Sequence, residues 1–177
     1  MMQQVEQVAS ERELLAELAA RNLHLVVGSR ANVATGRLPT DVLLAGLVQD
    51  EAARLHPALI ALFSLPAGNG TTAVPAALRQ LAEAQQVSLK LFYTAAVLLQ
   101  QIHGNQLRQH LPNQQSLPDL FAASFGLDGT AVPQVQLQQL SVRHRELSGV
   151  KANWLGSYHY AADRLLARLA KEAAWAA

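Results

Sequence analysis

The stretch Leu89 to Ile102, LKLFYTAAVLLQQI, constrains this chain more than any other. From Leu91 to Leu99 it carries no charge, and Phe92 and Tyr93 stand at its centre. It is too short to cross a bilayer as a helix. Such a run predicts a helix buried on most of its faces, around which other helices must pack. Half of the 177 residues are apolar and only 15% are charged, so general disorder is excluded. The apolar content is mostly Leu and Ala, both good helix formers, with few aromatics. The expectation is an all-α fold: a bundle of five to six helices spanning residues 1–177 as a single helical domain, with one short extended segment near 23–27.

Local signals place the elements. Ser10 and Glu13 form a capping box that opens a helix running to about Arg21. Leu23 to Val27 is the one β-like run, stopped by Gly28, and 28–39 has the Gly, Ser, Asn and Pro content of a loop. Thr40 or Asp41 caps a second helix, with a break or kink at Pro57 and a continuation to about Leu65. After the 66–73 loop, Pro75 suits a first helical turn, and no breaker intervenes before His103. That predicts one helix of about 29 residues, roughly 43 Å long, with Gly104-Asn105 as its stop. Ser116 and Asp119 repeat the capping-box pattern before a short helix closed by Gly126. Helices over 133–148 and from 150 to about 175 complete the chain.

Motifs that carry chemistry are few. There is no cysteine, so disulfides, thiolate metal sites and cysteine catalysis are excluded. The N-terminus is polar and lacks the apolar core of a signal peptide, and a cytoplasmic protein without membrane segments is expected. None of the six histidines has H-x-x-x-H or H-E-x-x-H spacing, and neither a metal nor a cofactor is expected. No nucleophile elbow, phosphate-binding lysine loop or dinucleotide fingerprint occurs.

Two constellations remain. The extended LHLVV segment runs into Gly28, Ser29 and Arg30, and Asp41 follows after the loop. This stretch, 23–43, resembles the minimal nucleotidyltransferases of toxin–antitoxin pairs. The resemblance implies phosphate binding by backbone N–H groups at Gly28-Ser29 and a metal-binding role for Asp41. Leu43 stands where that family places its second carboxylate, so the resemblance implies a degenerate, nucleotide-binding site. The second constellation is cationic. Arg164, Arg168 and Lys171 share one face of the last helix, and Arg143 and Arg145 extend the basic character upstream. These five residues are candidates for binding an anion or an acidic partner. Net charge is only +1, which disfavours nucleic acid as that partner, and a weak nucleic-acid binder acting through the C-terminal helix stands as a further alternative. The pattern as a whole predicts a non-enzymatic helical interaction protein, an adaptor, regulatory subunit or neutralising partner, acting on a protein or on copies of itself.

Overall fold

The computed structural model describes residues 10–21, 23, 38–50, 55–64, 70–112 and 116–176. Among them are eight α-helices and no strand: α1 (Glu11–Ala20), α2 (Thr40–Gln49), α3 (His56–Ser64), α4 (Gly70–Arg79), α5 (Glu83–Ile102), α6 (Gly104–His110), α7 (Pro133–Ser148) and α8 (Trp154–Ala176). A 3-10 turn at Ala122–Phe125 precedes α7. The all-α architecture is therefore as the composition requires. The expected extended segment lies outside the described residues, apart from Leu23, which is buried.

The apolar run is the central element. Every residue from Leu91 to Leu99 of α5 is buried. The helix spans 20 residues, about 30 Å. It packs most extensively against α7 and α3, and also touches α2, α6 and α8. A helix enclosed on all sides can be apolar all round, which is why the run carries no charge. Tyr93 is its one aromatic with a polar tip. Its hydroxyl donates to the Pro118 carbonyl at 2.8 Å, while its ring meets the rings of Phe63 and Phe121 edge-on. Gln100 accepts from the Leu117 N–H at 2.7 Å, so two polar contacts fasten the 117–121 segment to α5.

Several boundaries differ from the sequence expectation, each for a local reason. The long helix from Pro75 to His103 is divided into α4 and α5. At the join, Gln85 accepts from the Ala82 N–H, and Gln86 donates to the Leu81 carbonyl. These amides satisfy the freed backbone groups without Gly or Pro. Pro75 lies inside α4 rather than at its start. Pro57 does not kink a continuing helix: α2 ends at Gln49, and Pro57 occupies the first turn of α3, where its missing N–H costs nothing. Gly104 begins α6 directly after the His103 cap instead of ending the helical path. The segment after Ser116 is irregular up to the 3-10 turn. Asp119 fastens the start of that turn: its carboxylate accepts from the Ala122 N–H at 3.0 Å.

Other signals coincide with the structure. The capping box at Ser10 and Glu13 is formed in both directions. Gly126 and Gly149 both take positive φ at the ends of their elements. The turn at Gly149 reverses the chain so that α8 returns against α7. There Asn153 accepts from the Gly156 N–H at 2.9 Å. A Cβ at position 156 would stand 2.6 Å from the Asn153 amide nitrogen, so glycine permits this cap.

Candidate functional site

On α7, Leu137, Leu140 and His144 follow the i, i+3, i+7 spacing of a core-facing stripe, and all three are buried. A histidine thus occupies an apolar position. On α8, Trp154 and Tyr158 are four residues apart and enclose it. The indole stacks flat on the His144 imidazole, with centroids 3.6 Å apart and planes 8° from parallel. The Tyr158 hydroxyl lies 2.5 Å from His144 Nδ1. Phe92 of α5 presses edge-on against the same imidazole at 5.1 Å, and His56 of α3 lies 5.0 Å from Phe92 on another side.

Burial sets the charge state of the group. It pushes His144 down to about 3, with the nearby His56 adding to the effect, so the imidazole is neutral at physiological pH. Burial raises Tyr158, which stays a phenol. His56 is also lowered by burial, partly offset by the Asp50 carboxylate. A neutral imidazole has one acceptor nitrogen and one N–H, and the phenol has one hydrogen to donate. The phenol oxygen can also accept, but among the described residues its hydrogen has no acceptor other than Nδ1, so the arrangement that satisfies the buried hydroxyl has Tyr158 donating to Nδ1 and the imidazole hydrogen on Nε2.

The group forms part of the wall of a cleft of about 420 Å³. Its lining includes Asp50 and His56, Ser88, Leu91 and Phe92 of α5, and His144 and Trp154. That volume is within the range of small-molecule sites. Among the described residues, no set of three His, Asp or Glu side chains is placed to hold a metal ion. No described helix is long and apolar enough to cross a membrane.

The residues singled out in sequence are dispersed. Gly28, Ser29 and Arg30 lie outside the described residues. Asp41 stands in the first turn of α2, where its carboxylate accepts from the Gln80 amide at 2.7 Å and ties α2 to the end of α4. Arg143 holds the Phe125 carbonyl and pairs with Glu146, which anchors the 3-10 turn. Arg145 faces a separate open groove beside Lys151 and Asn153. Arg164, Arg168 and Lys171 do share a face of α8, with two aromatics that the charge pattern did not bring in. At 100° per residue, Tyr160, Arg164, Arg168, Lys171 and Trp175 fall within an arc of about 80°, over a length of about 22 Å. Arg164 donates to the Tyr160 hydroxyl at 2.6 Å and lies over its ring, and Lys171 sits 4.8 Å from the Trp175 ring centre. Arg168 is paired with Glu172 at 2.8 Å. Tyr160 is 52% exposed and Trp175 74%.

The His144 group was missed because its members carry no motif spacing. The usable signal was the histidine standing in register with Leu137 and Leu140. No protein-family model, curated protein or solved structure matches this chain.

Proposed function

We propose that the chain is a non-enzymatic helical interaction protein that presents the exposed face of α8 to an acidic surface of a partner protein. The observation that carries this reading is the stripe from Tyr160 to Trp175. Leu169 is the last buried residue of α8, and the turns after it are exposed throughout, ending in an indole that is mostly in solvent. Trp, Tyr and Arg are the residue types that dominate binding energy at protein interfaces. The aromatic rings already hold Arg164 and Lys171 in place, which lowers the ordering cost of binding.

The charge on the stripe selects the occupant. A second copy packed across a two-fold axis would set Arg164, Arg168 and Lys171 against their own counterparts, and like charges repel. An acidic partner neutralises them. The low net charge favours such a local contact over the broad electrostatic footprint that nucleic acid needs.

Fluorescence anisotropy with a labelled amphipathic peptide of Leu/Glu heptads tests the reading. Binding should weaken with salt and fall at least about 10-fold in Lys171→Glu and in Trp175→Ala. No binding, or tighter binding to a single-stranded oligonucleotide or to anionic vesicles, would overturn it.

A further inference from the structure

We propose that the cleft between α5, α7 and the start of α3 binds an uncharged heteroaromatic small molecule, whose ring-nitrogen or carbonyl acceptor meets the Nε2–H of His144.

Four observations carry this. The imidazole is almost wholly buried yet belongs to the cleft wall. Its Nδ1 edge is taken by Tyr158, which stands behind the wall, leaving the Nε2 edge for the cleft. Among the described residues Nε2 has no hydrogen-bond partner, so its hydrogen is open to an acceptor placed in the cleft. The stacked indole and the Phe92 edge fix the ring plane, so the N–H is aimed rather than free to turn.

The wall selects the ligand class. Leu91, Phe92, Val150 and Trp154 give it an apolar, partly aromatic surface, and Gln85 and Ser88 give polar groups at its edge. The described lining carries the Asp50 carboxylate and no Lys or Arg, so these residues favour an uncharged ligand over an anion. The carboxylate of Asp50 repels an anion further, and it already acts on His56. An uncharged flat ring keeps the apolar contacts and meets the N–H without desolvating a charge. This site is independent of the α8 stripe, whose residues do not line it.

Saturation-transfer NMR on the full chain with four matched probes tests the proposal: 7-azaindole, indole, indole-3-acetate and tryptamine. The first is neutral with an acceptor nitrogen, the second lacks the acceptor, and the others are an anion and a cation. We expect 7-azaindole to bind at about 0.1–1 mM, as suits so small a probe. It should bind at least about 5-fold tighter than the other three and move the His144 Nε2 resonance. Ser88→Tyr, which fills the cleft from its edge, should abolish binding, while Lys171→Glu should leave it unchanged. In the unliganded wild type, imidazole 15N shifts should place the proton on Nε2. A proton on Nδ1, equal or tighter binding of a charged probe, or an unmoved His144 resonance would overturn the proposal.

Discussion

Lowering the pH from about 7.5 to about 5 protonates the His144 imidazole in the unfolded chain but not in the folded one. The ordinary histidine value is 6.5, and the folded value is held down to about 3 by burial and by His56. A depressed folded value means that stability is complete above the unfolded value and is lost as pH falls toward the folded one. At pH about 5 the unfolded chain is some 1.5 units below its own midpoint, and each unit is about 1.36 kcal/mol, so the loss is about 2 kcal/mol. His56, also lowered by burial, acts in the same direction over the same window. Glu13 and Asp128 are lowered by their hydrogen bonds to Ser10 and Thr130. They lose their contribution only as pH falls below the unfolded carboxylate values of 4.5 and 3.8. The measurement is urea unfolding by circular dichroism at a series of pH values, in the wild type and in His144→Asn. Asparagine keeps an acceptor near the Nδ1 position for Tyr158 but does not titrate. The wild type should lose about 2 kcal/mol more than the variant between the two pH values. Parallel profiles, or an imidazole that titrates near 6.5 in the folded protein by NMR, would refute the reasoning.

Two further predictions concern the scaffold. Leu98→Ala and Leu99→Ala should each cost about 2–5 kcal/mol in urea unfolding, because both side chains are buried in the central helix; a loss below about 1 kcal/mol would mean the core lies elsewhere. Gly149→Ala should cost about 1 kcal/mol or more, since its φ of 68° is left-handed, whereas Gly129→Ala, with open space at its Cβ, should stay within about 0.5 kcal/mol. Equal effects at the two glycines would remove the backbone argument.

The elements that were legible in sequence are those fixed by one strong local rule. The reciprocal cap at Ser10, Pro133 at the start of α7 and the left-handed glycine at 149 each act within a few residues. The boundaries that were not legible depend on choices that are locally near neutral. Nothing between Arg79 and Glu83 forbids a helix. The break there is held by amide contacts and by the way α4 packs on α2, including the Asp41–Gln80 bond. Gly104-Asn105 predicts a stop, yet the Gly104 backbone does not take the left-handed conformation that would make it one. The role of α7 as the main partner of the central helix was not legible for a similar reason. α7 is polar along most of its length and offers few buried residues, Leu137, Leu140 and His144, to the core. Sparse apolar content hid its role.

The same helix explains why the candidate site was not legible. A leucine at 144 would complete the apolar stripe of α7, and the register would then report only packing. Instead the position holds an imidazole whose burial favours its neutral form, and holding it requires a phenol from α8 for Nδ1, an indole over its face and a phenyl edge from α5. Three elements converge on one polar ring at the wall of a cleft, where an apolar residue would satisfy the fold alone. Consistency between local pattern and packing is what specifies a fold, and a position that departs from it while being surrounded by orienting contacts is where function is to be sought. The cations of α8 illustrate the converse. Their charge pattern was legible at once, but the structure pairs Arg168 with Glu172 and sets Arg143 to a backbone carbonyl, so charge alone did not define the surface. What distinguishes the stripe is the pair of exposed rings at its two ends, because a ring left in solvent beside a cation gains little from the fold and much from a partner.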